Sequence, residues 1–200
     1  MADTKLSALS PLAAPSADDL VYVVDDPAGS AVSLKATVAA LLAASIGITL
    51  KYVRKTADES VTSSAVLQDD DHLTLTIGAN ETWFYLFWLV VDATTAGDIA
   101  ATIVAPSGAA GWQGAARTST SAGGATNLGF DAAITTAVDG SVARNLGGSG
   151  SGTVTVSQYG AFVRNGSNAG NVKLQWAQAS SNGTASKLLT DSIMIGVRLA

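Results

Sequence analysis

The densest group of chemistry-bearing residues in the chain is Asp69-Asp70-Asp71-His72. Its carboxylate oxygens suit a hard divalent cation such as Ca²⁺ or Mg²⁺. Consecutive residues of an extended chain point to alternate sides, so three adjacent acids cannot all converge on one ion. The stretch therefore reads as a solvated turn ahead of a strand beginning at Leu73. Asp18-Asp19 and Asp25-Asp26 read as turn or rim residues in the same way. His72 is the single histidine of the chain, which excludes any mechanism or metal site that needs two. No Ser stands in a strand-to-helix elbow where His72 and its acids could activate it. Glu81, Asp92, Asp98, Asp131 and Asp139 are available as paired carboxylates for glycoside cleavage, but their spacing selects no pair. No cofactor is implied, and the chain is not expected to be an enzyme.

Asn80-Glu81-Thr82, Asn165-Gly166-Ser167 and Asn182-Gly183-Thr184 match the glycosylation pattern, yet they sit where turns before strands are expected. Trp83, Trp88 and Trp176 fall within alternating segments, where packing in a core or an interface is the natural role of an indole. Trp112, in Gly111-Trp112-Gln113-Gly114, is the best candidate for an exposed contact.

Composition narrows the classes further. The chain has 200 residues, no cysteine, twenty glycines and a formal charge of -5; hydrophobic residues make up 48% but aromatics only 6% and charged residues 14%. The apolar content is therefore largely Ala and Val, which bury area through close backbone approach and not through a few large anchors. The acidic balance argues against nucleic acid, whose phosphates call for clustered Lys and Arg. Without cysteine there is no disulfide framework and no thiolate chemistry. The longest apolar run, Trp83 to Val91, is far shorter than the ~20 residues of a membrane-spanning helix. The start of the chain does not read as a signal peptide, because Asp3, Ser7, Ser10 and Pro11 break the required pattern. A structural or binding role is favoured.

Two segments must position these residues. Residues 1–48 begin with an arm, Thr4 to Ser16, of no sustained period. A β-branched strand, Leu20 to Val24, then reaches the turn Asp25-Asp26-Pro27-Ala28-Gly29-Ser30. A returning strand, Ala31 to Lys35, leads to a short helix capped by Thr37 and stopped by Gly47. A hairpin and one short helix cannot bury a core alone, so this segment must lie against something else. Residues 49–200 alternate as strands near 50–55, 73–77, 83–91, 99–104, 153–164, 171–177 and 187–199. The links 165–170 and 180–183 carry strong hairpin signals, and 147–152 reads as surface loop. Both faces of the 83–91 strand are apolar, so both are expected to be covered. The fold expected is an antiparallel β-sandwich, jelly-roll-like, preceded by the small N-terminal hairpin and helix.

Two stretches resemble proteins of tailed-bacteriophage virions. The run from Lys5 to Ser45 is similar to the N-terminal segment of phage fibre and accessory virion proteins. It shares a Leu-Ser-x-Leu start, Asp-Asp-Leu before a short strand and turn, and a helix start carrying Lys35, Thr37, Val38, Leu41 and Leu42. The run from Val53 to Trp112 resembles phage structural proteins in which Val-Arg-Asn-Gly and Leu-Gln-Trp-Ala-Gln recur later, here Val163–Gly166 and Leu174–Gln178. The resemblance implies assembly and attachment without catalysis, in a homotrimer built into the virion inside the bacterial host. It implies that Leu20, Tyr22, Val24, Leu41 and Leu42 contact other virion proteins or sister subunits. Trp83, Phe87, Trp88 and Trp176 would then build the core or the trimer interface. With no heptad run for a long shaft, a capsid decoration protein or short head fibre fits the chain best. The alternative is a tail or baseplate fibre subunit whose loops, near Trp112 and 117–127, bind host surface glycan.

Overall fold

A computed structural model describes residues 17–25, 32–39, 49–120, 126–130 and 137–200. The chain divides into two compact units, Met1–Ile48 and Thr49–Ala200. In the first, β1 (Leu20–Asp25) pairs antiparallel with β2 (Val32–Thr37), with Leu20 opposite Thr37 and Asp25 opposite Val32. Backbone bonds from Val38 N to Asp19 O (2.9 Å) and Ala39 N to Ala17 O (3.1 Å) close the open end of this hairpin. The expected arm, the turn beyond Asp25, and the helix beyond Ala39 with Leu41 and Leu42 lie outside the described residues.

The second unit is built of antiparallel strands. Its elements are β3 (Thr49–Arg54), β4 (Glu59–Val61), β5 (Gln68–Ile77), β6 (Thr82–Asp92), β7 (Ala100–Val104) and β8 (Ala110–Thr120). They continue as β9 (Thr126–Phe130), β10 (Arg144–Asn145), β11 (Val154–Arg164), β12 (Gly170–Ala177), β13 (Ser186–Leu188) and β14 (Ile193–Arg198). One sheet runs β10-β7-β12-β5 and the other β3-β14-β6-β11-β8-β9, with β13 pairing β6 and β4 pairing β13. Leu73, Ile77, Ile103, Val172, Leu174 and Trp176 from the first sheet share one core with Trp83, Tyr85, Phe87, Leu89, Tyr159 and Met194 from the second. Tyr85 and Tyr159 are buried among these residues, which pushes both hydroxyl pKa values up. Gly196 leaves the space that the Tyr85 ring fills, since a Cβ there would stand 2.8 Å from it. Among the described residues, no helix is long and apolar enough to cross a membrane.

Several expectations are corrected. Asp69 to His72 are not a turn but belong to β5, because Asp70 is drawn inward by a buried lysine described below. Trp112 and residues 117–120 lie in β8, an eleven-residue strand held by pairing with β11 and β9. The links 165–169 and 178–185 are not hairpin turns: β11 and β12 lie in different sheets, as do β12 and β13, so each link carries the chain from one sheet to the other. The strand expected over 187–199 is broken after Leu188, where Asp191 takes a φ of 70° and β14 begins a new pairing with β3.

Candidate functional site: a buried charge cluster and an open apolar face

Lys55 follows β3 directly. Its backbone extends the ladder with β14, its N–H donating to Ser192 O (2.8 Å) and its carbonyl accepting from Asp191 N (3.0 Å). That pairing turns the side chain inward, where it is fully buried. An isolated ammonium there would be very costly, so it must be paired. Nζ donates to Asp70 Oδ2 at 2.7 Å and to Glu59 Oε2, and lies 3.4 Å from His72 Nδ1. Asp70 Oδ1 accepts the backbone N–H groups of His72 (2.9 Å) and Leu73 (2.7 Å). Burial and a hydrogen bond shared with Asp70 push the Glu59 carboxyl up to about 7. Burial acts to raise Asp70 as well, but bonds from Glu59, Lys55 and the two backbone N–H groups outweigh it and hold Asp70 below the usual carboxylate range.

Glu59, Asp70 and His72 bring ligand atoms within 4.8 Å of one another, a spacing compatible with a metal ion. The Lys55 ammonium already fills that space and neutralises those oxygens, so the donor set does not fit a divalent cation. Of the three acids expected to be solvated, Asp69 and Asp71 are exposed, with Asp69 paired to Lys173, while Asp70 is buried in this cluster. Lys55, the residue that organises it, gives no signal in the local sequence beyond its place at the end of an alternating strand.

The second feature lies on the outside of the larger sheet. In β6, Trp83, Tyr85, Phe87, Leu89 and Val91 point into the core, while Phe84, Leu86 and Trp88 point outward and are exposed. Among the described residues of the second unit, only one face of this strand is covered. Register extends the open face across neighbouring strands. Phe84 stands opposite Val197 and Phe162, Val197 opposite Leu50, and Phe162 opposite Trp112. Leu86 stands opposite Ile195, which faces Tyr52; Trp88 stands opposite Ile193, which faces Arg54. Tyr52 is 72% exposed, Leu50 61% and Trp88 44%. Trp112 and Phe162 stack with centroids 5.9 Å apart and planes 9° from parallel. The same rows carry polar residues: Gln158 stands opposite Trp88, exposed Arg164 stands opposite Thr82, and Arg54, on the edge strand, is paired with Asp191.

Val154 and Val156 of β11 add further exposed apolar side chains to this sheet, and a run of neighbouring exposed apolar residues marks an interaction surface where single ones do not.

The structure therefore separates the aromatic residues singled out above. Trp83, Phe87 and Trp176 are core residues. Trp88 is not: it belongs to the open face, because its strand position is odd with respect to theirs. Trp112 is exposed, and it belongs to the same face and not to a loop. Leu20 is exposed at the start of β1, while Tyr22 and Val24 lie within β1, their side chains outside the described residues. Comparison of the chain with protein-family models, with curated proteins and with solved structures returned no match.

Proposed function

We propose that this chain is a non-enzymatic structural protein of a tailed-bacteriophage virion, a homotrimeric capsid decoration protein or short head fibre anchored through residues 1–48. The observation that carries the reading is the open apolar face of the larger sheet. A surface with apolar rows at its centre and Arg54 and Arg164 toward its ends is costly to leave in water and suits a second copy of the same chain. Three such faces turned toward one axis would cover one another, and Phe84, Leu86, Trp88, Tyr52 and Trp112 would form their common core. The resemblance of Lys5–Ser45 and Val53–Trp112 to phage virion proteins supports the same conclusion.

Strand order supports a jelly-roll reading. The orders β3-β14-β6-β11 and β5-β12-β7-β10 are those of two interleaved Greek keys, an architecture used in viral capsid domains. The β8–β9 hairpin is then an addition that widens one sheet and enlarges its outer face. Trp112 lies within the apolar rows, which favours contact with protein over glycan stacking at a loop tip.

The test is mass spectrometry of gradient-purified virions of the phage that encodes the chain, followed by separation of heads from tails. The reading expects the chain in the virion at many copies and with the head fraction. Recovery with tails would favour the fibre alternative, and absence from the virion would overturn the proposal.

A further inference from the structure

We propose that Lys55 and Asp70 become joined by an intramolecular amide bond, formed by attack of Lys55 Nζ on Asp70 Cγ with Glu59 relaying the proton and water leaving. The parts required are all present in the buried cluster. The nucleophile lies 2.7 Å from Asp70 Oδ2, so the carbon it must reach is one covalent bond further on. Holding both groups in contact supplies the high effective concentration that makes an otherwise slow condensation accessible. Lys55 and Asp70 side chains are both 0% exposed, so bulk water, which would reverse or divert the reaction, is kept away.

The two Asp70 oxygens have different surroundings. Oδ1 accepts the N–H groups of His72 and Leu73 at 2.9 and 2.7 Å, the arrangement that stabilises an oxyanion developing on that atom. Oδ2 faces Lys55 Nζ, which Glu59 Oε2 also contacts, so a proton carrier stands at the attacking nitrogen. Burial lifts Glu59 to about 7, so it can both take and return a proton near neutral pH.

The steps balance. Glu59, the more basic of the two carboxylates, takes one proton from Lys55 and passes it to Asp70 Oδ2, leaving an amine, a carboxylic acid and the Glu59 carboxylate. The Nζ lone pair bonds to Cγ while the carbonyl π pair moves onto Oδ1. Glu59 then takes a proton from the nitrogen and delivers it to Oδ2. The Cγ–Oδ2 bond breaks, the carbonyl re-forms and one water departs with both protons lost by Lys55. Nothing is oxidised or reduced. The product would tie the end of β3, in one sheet, to β5, in the other, closing that edge of the sandwich covalently.

The experiment is mass analysis of the purified full-length protein after denaturation and trypsin digestion. No Lys or Arg lies between Lys55 and Arg117. The amide would block cleavage after Lys55, so the expected product is peptide 55–117, lighter than its sequence mass by one water. Glu59→Gln should restore peptide 56–117 at full mass while circular dichroism stays that of a β protein. Wild-type protein cut after Lys55, with Asp70 unmodified, would overturn the proposal. So would a water deficit that persists in Lys55→Arg, because dehydration of an Asp to a cyclic imide needs no lysine.

Discussion

Glu81 shows how single side chains tie the edges of the larger sheet. It accepts the Gly78 backbone N–H (2.7 Å) and the Trp83 indole N–H (2.9 Å), and pairs with Arg198 on β14 (3.0 Å). The Gly78 bond, then the Trp83 bond, hold its pKa below the usual 4.5. A carboxyl depressed in the folded state contributes stability above its unfolded pKa and loses it as pH falls through the folded value. Stability of the wild type should therefore decline as pH drops below 4.5, and Glu81→Gln should make that decline shallower. Urea titrations followed by Trp fluorescence across this range check it. An unchanged acid limb would remove Glu81 from the account.

Gln113 is the second informative residue. It is buried in β8 and bridges the two sheets, accepting Ile103 N–H (2.8 Å) and Tyr159 O–H (2.6 Å) and donating to Ala137 O (2.6 Å). Replacing it by Leu leaves these groups unpaired away from water, and should cost about 2–4 kcal/mol. Tyr159→Phe removes only one partner and should cost about 1 kcal/mol. Denaturant midpoints of the two variants decide whether the bridge or the ring packing matters more.

At the scale of elements, β8 rests on a close backbone approach. A Cβ at Gly111 would stand 1.9 Å from Phe162 O, whereas one at Gly114, in the same strand, would meet nothing within 4 Å. Gly111→Ala should destabilise by about 1–3 kcal/mol, while Gly114→Ala should stay within about 0.5 kcal/mol. Equal thermal midpoints for the two would mean that β8 is not held against β11 as described.

The same strand explains what was hidden in the sequence. Leu73-Thr74-Leu75-Thr76-Ile77 and Trp83 to Val91 announce strands because apolar residues recur with the period of a pleated chain. In β8, Ala-Gly-Trp-Gln-Gly-Ala-Ala-Arg-Thr-Ser-Thr carries no such alternation, since its inward position Gln113 is polar and its outward Gly114 has no side chain. β4 and β10, of three and two residues, are too short for any period to show. Turn chemistry at Asn165–Gly170 and Ser180–Gly183 was legible, but residues that bend a chain do not state which sheet it enters next. The charge cluster was half legible. Asp70 stood out among acids, but its partner Lys55 lies fifteen residues away and only the fold brings it inside.

At the scale of the molecule, burial divides into an inner account that closes and an outer one that stays open. The core between the sheets is filled by Trp83, Tyr85, Phe87, Tyr159 and Trp176. The opposite face of β6 and its neighbours carries exposed Phe84, Leu86, Trp88 and Trp112, which the described residues leave open. Because Leu86 and Trp88 take no part in the inner core, charges placed there should leave the folded chain intact and act only on association. Solution mass by light scattering, for the wild type and for the Leu86→Lys, Trp88→Lys double variant, is the most direct test. The trimer predicts three times the 20.0 kDa chain mass for the wild type and a single-chain mass for the variant, with unchanged circular dichroism. A wild type that remains at 20.0 kDa up to the highest soluble concentration would contradict it.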